Sequence, residues 1–251
     1  MGGHSHWAGI KHKKAITDAK KGKVFTKIIK EITMAAKTAG GKPDENPRLR
    51  KAMEDAKTAN MPVDNVKRAI MRGTGQLPGV TYEEVMYEGF GPAGIAVLVE
   101  VTTDNRNRVF SEIRKIFEVC GGNIGSTGCV AWMFEPKGYM SVKKTDAKED
   151  ELMTLAIDLG AEDFKSPPDS DEYEIVTAPA DFEAVKKKLE EHKVPIVLAE
   201  LTMLAKNEVN VGEEKAQQVV NLMNSLEDHD DVQKVHSNFN IPDFILAKLE
   251  Q

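Results

Sequence analysis

Residues 23–39 read KVFTKIIKEITMAAKTA, and their apolar side chains recur at three- and four-residue spacing. That period puts the apolar side chains on one face of an α-helix and leaves the lysines of the stretch largely outside it. Gly40 and Gly41 follow directly and predict where the helix ends. The stretch therefore predicts an amphipathic helix.

Helices are predicted on both sides of this one. Residues 10–22 read IKHKKAITDAKKG and fit a short basic helix or arm. Asn46 and Pro47 form a cap followed by proline at the first helical position, which opens a third helix. A fourth helix, over 62–72, begins at a proline and is stopped by a glycine. Residues 1–75 are thus expected to form one helical domain.

The sequence period changes after a Gly- and Pro-containing linker at 73–80. Residues 85–90 and 95–102 are strand-like, and the GPAG at 91–94 predicts the turn between them. A capped helix and a glycine-rich loop come next, and CVAWMFE at 129–135 reads as another strand. The predicted order over this part is ββαβ.

From Gly138 onward the predicted order is strand, helix, strand, strand, helix, strand. This βαββαβ order is the split-βαβ arrangement of ferredoxin-like sandwiches. A last helix and a strand near 232–238 remain, and they supply the αβ that the earlier ββαβ needs to complete its own layer. We therefore predict an α+β multidomain fold. The helical domain at 1–75 is followed by two ferredoxin-like-type α+β domains, one at 80–136 plus 208–240 and one at 137–207 inserted in it.

The composition excludes several classes of protein. Hydrophobic residues make up 41% and charged residues 29% of the chain, as in globular domains. No run approaches the roughly 18 apolar residues of a membrane span, and the start lacks the apolar segment of a signal peptide. Cys120 and Cys129 are too few for a disulfide scaffold or a four-thiolate zinc site. We therefore expect a cytoplasmic protein with no membrane partner.

Charge is distributed unevenly along the chain. The formal net charge is −6, yet residues 1–73 contain 17 Lys/Arg and 7 Asp/Glu, a net of +10, which leaves −16 for the remainder. Such a separation indicates a segment that binds a polyanion, because lysine and arginine neutralise phosphates and release counterions. The acidic remainder would repel a second length of phosphate backbone. The predicted nucleic-acid-binding residues are Lys11, Lys13, Lys14, Lys20, Lys21, Lys23, Lys27, Lys30, Arg48, Arg50, Lys51, Lys67, Arg68 and Arg72.

Each of these cations also has a plainer interpretation, as part of a solvated helix face or as a cation near a helix C-terminus. Aromatic residues are scarce in the segment, with only Trp7 and Phe25, and Phe25 belongs to the apolar stripe. A base-stacking surface for single strands is therefore not favoured. Contact with the backbone of double-stranded DNA or structured RNA fits the composition better.

A candidate anion site lies in TTDNRNR at 102–108. Arg106 and Arg108 fall in the first turn of a predicted helix, where cations oppose the helix dipole and a bound anion would compensate them. Ion pairs with Glu100 or Glu112 would explain the arginines equally well. The sequence leaves these two interpretations open.

Other motifs carry little chemistry. The loop GGNIGSTG at 121–128 follows a helix and precedes a strand, the reverse of a phosphate-binding loop, so a structural turn is predicted. If Met1 is removed, the Gly-Gly-His that follows offers four nitrogens to Cu(II) or Ni(II), as an incidental affinity. The acidic LEDHDD at 226–231 reads as solvated. No catalytic arrangement emerges, so we predict no enzyme, no cofactor and no dedicated metal site.

Several stretches together resemble the YebC/PmpR family. They are GHSHWAGIKHKKAITDAKKGKVFTKIIKEI, NPRLRKAMEDAKTANMPVDNVKRAIMRGTG, YEGFGPAGIAVLVE, TDNRNR and GGNIGSTGCVAWMF. The resemblance covers essentially the whole chain and implies three domains, the last inserted in the middle one. It also implies DNA-binding transcriptional regulation in bacterial members, translational activation in mitochondrial relatives, and a ribosome-associated role proposed for bacterial members too. His6 departs from the lysine usual in the family, so no phosphate contact is carried over to it.

Two functions are therefore expected. The first is a DNA-binding transcriptional regulator acting through the basic helical domain, with 47–59 and 62–72 as a helix-turn-helix-like pair whose junction lacks a definite signature. The alternative is a ribosome-associated translation factor that binds rRNA with the same surface. Few Asn, Gln or Arg on the basic helices are available to read base edges, which suits shape and phosphate recognition. A surface for a homo-oligomer or protein partner is expected on the α+β domains.

Overall fold

The computed structural model describes residues 18–168 and 170–249. The described part opens with three helices, α1 (Asp18–Ala39), α2 (Pro47–Thr58) and α3 (Val63–Gly73). The predicted basic helix or arm at 10–22 lies outside the described residues up to position 17. From Asp18 the chain is already part of α1, so Gly22 does not interrupt the helix as the sequence suggested.

The predicted start of α2 is confirmed. The Asn46 side chain accepts a hydrogen bond from Leu49 N at 3.0 Å, and Pro47 takes the first helical position. The Asn46 amide also donates to Ala35 O and Gly40 O, each at 2.8 Å, so one side chain caps α2 and ties it to the end of α1. The apolar stripe of α1 packs on α2 and α3, and the fully or nearly buried core comprises Ile32, Ala35, Leu49, Ala52, Ala56, Met61, Val66 and Ala69.

The first α+β domain begins with β1 (Glu83–Phe90) and β2 (Ala96–Thr103), which form the predicted hairpin around a 3₁₀ turn at Pro92–Gly94. Helix α4 (Arg106–Val119) follows, with Asn105 as its cap. The next strand is β3 (Asn123–Ile124), which pairs with β1.

The strand predicted at 129–135 is wrong. Residues 131–133 form a 3₁₀ turn, and Phe134 already begins a strand of the next sheet. The apolar character of this run has another cause, because Val130 and Phe134 are buried with Ala96 and Leu98 of β2. The run therefore fills a core without being a strand of the first sheet.

The second α+β domain contains β4 (Phe134–Lys143), α5 (Glu149–Asp158), β5 (Asp163–Lys165), β6 (Glu172–Thr177), α6 (Phe182–Glu191) and β7 (Ile196–Ala205). This is the predicted βαββαβ order. The strands form one antiparallel sheet in the order β5-β6-β4-β7, and α5 and α6 contribute to its core.

The chain then returns to the first sheet through β8 (Val209–Asn210), α7 (Glu213–Glu227) and β9 (Val232–Ser237). Strand β9 pairs with β2, which gives the order β3-β1-β2-β9, so the second α+β domain is inserted in the first. Helices α4 and α7 share the core on one face of this sheet. The short parallel pair of β8 with β10 (Phe239–Asn240) and the helix α8 (Asp243–Leu249) were not predicted. Within the described ranges, no helix has both the length and the apolar character required to span a bilayer.

Candidate nucleic-acid interface

Three lysines of α1 lie against the C-terminal end of α7. Lys23 Nζ donates to Asp228 O at 2.9 Å, and Lys27 Nζ donates to Glu227 O at 2.5 Å. Lys30 Nζ donates to Asp230 O at 2.9 Å. These lysines, at i, i+4 and i+7, form one row along the helix, which we call the basic stripe. The stripe is therefore part of the contact between the helical domain and the first α+β domain.

Lys30 has a further, buried partner. Its ammonium is hydrogen-bonded to the Asp231 carboxylate, and the two side chains are 7% and 5% exposed. The other Asp231 oxygen accepts a hydrogen bond from Arg108 Nη2 of α4 at 2.6 Å. Burial by itself would raise the pKa of Asp231, but these two cations outweigh it and hold the pKa below its ordinary value. Asp231 thus joins three parts of the molecule. The expectation that 226–231 is a solvated acidic segment is wrong for this residue.

Two more cations tie the helical domain to the same neighbour. Lys37 Nζ donates to Tyr82 O at 2.9 Å. Arg48 forms a bidentate pair with Glu31 of α1, at 2.6 and 2.8 Å, and reaches Glu84 of β1 at 2.5 Å. Arg48 is therefore engaged by two carboxylates, although its side chain stays 39% exposed.

A second set of cations faces solvent on α2 and α3. Lys67, Arg68 and Arg72 lie on the exposed side of α3, opposite the buried Val66 and Ala69. In α2, Arg50 and Lys51 are exposed, and Lys51 pairs with Asp55 at 2.9 Å. Among the residues that the structure describes, no ion pair is formed by the following four, which we call the exposed cation face: Arg50, Lys67, Arg68 and Arg72.

The remaining predicted binding residues lie wholly or partly outside the described part of the chain. Lys11, Lys13 and Lys14 lie outside the described residues. Lys20 and Lys21 belong to α1 by their backbone, but their side chains are also outside the described part.

The arginines of the candidate anion site do not converge on one point. Arg108 forms ion pairs with Glu112 at 3.0 Å, Asp104 at 3.2 Å and Asp231 at 2.6 Å, so the ion-pair interpretation describes it. Arg106 is exposed, and its carbonyl accepts a hydrogen bond from the Tyr87 hydroxyl at 3.2 Å. Of the two carboxylates that the sequence suggested, Glu112 pairs with Arg108, whereas Glu100 lies 2.8 Å from His236 Nε2. The sequence did not suggest Asp104 or Asp231, and Asp231 is distant along the chain.

The glycine-rich loop is organised by a buried carboxylate. Glu88 of β1 is 4% exposed and accepts hydrogen bonds from Gly128 N at 2.6 Å and from Val130 N and Ala131 N at 2.8 Å each. Burial would raise the pKa of Glu88, but the three N–H donors hold it below its ordinary value. Within the loop, Gly128 N is thus occupied by a side chain, and the N–H groups of Gly121, Gly122 and Gly125 donate to backbone carbonyls, in agreement with the predicted structural turn.

One group of side chains has the spacing of metal ligands. Atoms of Glu112, His229 and Asp231 lie within 4.8 Å of one another. Lys30 and Arg108 already bind both oxygens of Asp231, so a metal ion would have to displace two cations from it. The arrangement fits an ion-pair network better than a metal centre.

Comparisons with known proteins bear on the whole chain. A family model described as the TACO1/YebC protein N-terminal domain matches residues 5–76, and one described as the TACO1/YebC second and third domain matches residues 82–239. A protein of Elusimicrobium minutum named "Probable transcriptional regulatory protein" is 57% identical over 252 residues, which is 100% of both chains. A protein of Dictyoglomus thermophilum with the same name is 55% identical over 250 residues, covering 99% of this chain and 100% of that one.

A solved structure is similar over nearly the same length. The crystal structure of a conserved hypothetical protein from Aquifex aeolicus superposes with a TM-score of 0.83 at 49% identity. The match covers 94% of this chain and 97% of that chain. Two family models that together match the helical region and both α+β domains, supported by relatives above half identity over the full length, lead to one conclusion: the chain belongs to the TACO1/YebC family.

Proposed function

We propose that this protein is a nucleic-acid-binding regulatory protein, a transcriptional regulator that contacts duplex DNA through its basic helical domain. The observation that carries the proposal is the exposed cation face on α2 and α3. Its side chains project into solvent from two helices that are fixed on α1 by a packed core. The names of the relatives support regulation as the task.

The charge balance of the two helices favours phosphate as the ligand. Residues 47–73 contain seven Lys/Arg and three Asp/Glu. On α3 the sole acidic residue is Asp64, in the first turn, where it complements the helix dipole. Cations on a rigid helical face neutralise backbone phosphates and fix the orientation of a duplex.

The proposal is tested by the salt dependence of binding. We expect the full chain to bind a duplex with a log–log salt slope of about −4.5 to −7, which corresponds to about five to eight phosphates. The double variant Arg68→Ala/Arg72→Ala should reduce the slope by about 1.8. Lys187→Ala/Lys188→Ala, which removes two exposed cations of α6, is the matched control and should leave the slope unchanged. An unchanged slope in the α3 variant would reject this face.

A second candidate function is a ribosome-associated translation factor that binds rRNA. The exposed cation face is made of lysine and arginine, which bind the phosphates of RNA as well as those of DNA. That composition suits recognition of RNA by shape and phosphate. Sedimentation with ribosomal particles, without preference among promoter fragments, would favour this function. Retrieval of particular promoter fragments above competitor duplex would favour the regulator.

A further inference from the structure

The end of α7 is an acceptor site that a second domain fills. The last carbonyls of a helix have no partners within it and carry partial negative charge. Here Lys27 takes the Glu227 carbonyl, and Lys23 takes the carbonyl of the following residue, Asp228. The basic stripe therefore caps a helix that lies 200 residues further along the chain.

The acceptor segment is strongly acidic. Residues 227–231, which we call the acidic latch, contain Glu227, Asp228, Asp230 and Asp231. The three ammonium groups of the basic stripe donate to backbone carbonyl oxygens of the latch and to one buried carboxylate, and the other acidic side chains make the surroundings negative. Phosphate oxygens would offer the same kind of contact, since charge-assisted hydrogen bonds from lysine ammonium groups to oxygen acceptors form in both cases.

The acidic latch and a nucleic-acid phosphate cannot bind the whole basic stripe at the same time. Lys30 is 6% exposed while it is bound to the latch, so a phosphate has no access to its ammonium. Lys23 is exposed, and a cavity of about 560 Å³ opens beside it between α1, α4 and the latch. A polyanion can therefore approach the stripe at Lys23, but it reaches Lys30 only if the domains separate.

The helical domain and the first α+β domain have separate apolar cores. The buried core of the helical domain and that of the first α+β domain are distinct clusters with no shared residue. The described hydrogen bonds and ion pairs between the domains include Lys37 with Tyr82 O and Arg48 with Glu84 besides the latch. Such contacts respond to salt and to competing charge far more than an apolar interface does.

We infer that the acidic latch competes with nucleic acid for the basic stripe, so that nucleic-acid binding and undocking of the helical domain are linked. The inference rests on the proposed function and names its regulation. Docked, the described part of the chain presents the exposed cation face. Undocked, it adds Lys23, Lys27 and Lys30 to the phosphate contacts. By linkage, nucleic-acid binding favours undocking, and a weaker latch therefore strengthens nucleic-acid binding.

The test measures the affinity of the full chain for a duplex of about 25 base pairs, a length chosen to exceed the roughly five to eight phosphates expected. The variant Asp228→Asn/Asp230→Asn neutralises two exposed latch carboxylates and should bind about five- to tenfold more tightly. Asp150→Asn/Asp158→Asn in α5 makes the same change in net charge on exposed sites and should change the affinity less than about twofold. Adding Lys23→Ala/Lys27→Ala to the latch variant should remove the gain.

The rate at which Lys30 is acetylated in the absence of nucleic acid, measured by mass spectrometry, tests the latch contact independently of binding. This rate should be higher in Asp228→Asn/Asp230→Asn than in the parent protein. Faster acetylation with unchanged affinity would overturn the inference. If neither the acetylation rate nor the affinity changes, the variant Asp231→Asn is measured next, after circular dichroism has shown that it is folded. Unchanged affinity in that variant also overturns the inference. Absence of binding to duplex and to an RNA hairpin by every form would instead reject the proposed function.

Discussion

Lys30 of the helical domain and Asp231 of the first α+β domain form an ion pair that is almost fully enclosed, across 201 positions of sequence. Taking two charges out of water is costly, and their attraction offsets that cost only when both partners are present. Removing one partner therefore costs more stability than the loss of one hydrogen bond, because the other charge stays buried without its partner. The two possible losses are not equivalent. When Lys30 is removed, the Asp231 carboxylate still pairs with Arg108.

Asp231→Ala should accordingly destabilise the protein by about 3–5 kcal/mol, because it leaves the Lys30 ammonium buried without its carboxylate. Lys30→Met should cost less. Urea unfolding of both single variants and the double variant should give a coupling energy of about 1–3 kcal/mol. The exposed pair Lys51–Asp55 is the matched control, with an expected coupling of about 0.5 kcal/mol or less. Equal couplings for the two pairs would contradict the enclosed character of the first.

Acid should weaken the fold through three carboxylates. The pKa values of Glu88, Glu100 and Asp231 are all lowered in the folded chain, by N–H donors, by His236 and by Lys30 with Arg108, respectively, each against the effect of burial. A lowered folded pKa contributes stability that is complete above the unfolded pKa and is lost as pH falls through the folded one. The free energy of unfolding should therefore fall steeply below about pH 4.

The variants Glu88→Gln and Asp231→Asn test the origin of this acid dependence. Each should be less stable than the parent at pH 7 and should show a flatter decline in acid, so that the curves converge at low pH. Urea unfolding from pH 7 to pH 3 is the measurement. Parallel curves would mean that other groups govern the acid transition.

Local signals in the sequence were sufficient for most elements of the fold. Asn46 and Pro47 predicted the start of α2 because a cap and a first-turn proline act within a few residues. The βαββαβ order predicted the second α+β domain, because the order of elements restricts the ways in which strands can pair. The strand predicted at 129–135 failed because an apolar run is buried equally well in a turn between two layers.

The site was less predictable, since its partners are distant in sequence. The spacing of Lys23, Lys27 and Lys30 indicates that they share one side of a helix, but it carries no information about what faces them. A stripe that docks on a carbonyl-rich helix end and one that binds phosphate have the same composition. Asp231 was hidden for the same reason, because an acidic run gives no sign that one of its members is enclosed.

Glu88 should be essential for the shape of the loop that precedes the second sheet. Glu88→Ala leaves the N–H groups of Gly128, Val130 and Ala131 without their acceptor, and hydrogen bonds to a charged group are worth about 1.5–3 kcal/mol each. We expect a loss of at least about 3 kcal/mol, and faster hydrogen exchange at 121–131. Ser126→Ala, an exposed change in the same loop, is the control and should leave both quantities unchanged. Normal exchange in Glu88→Ala would show that the loop is held by other contacts.

Gly73 should be required for the close approach of α3 to α1. A Cβ at this position would lie 2.4 Å from Thr33 O and 2.7 Å from Ala36 Cβ, and backbone cannot move aside as a flexible side chain would. Gly73→Ala should therefore destabilise the chain by about 1–3 kcal/mol, and it should shift Arg68 and Arg72 relative to α1. Gly22→Ala is the matched change within α1, where a Cβ meets nothing within 4 Å, and it should stabilise by about 0.5–1 kcal/mol through helix propensity. Thermal unfolding of both variants separates crowding from a general effect of the added methyl group. Effects of the same sign would contradict the packing described for these two helices.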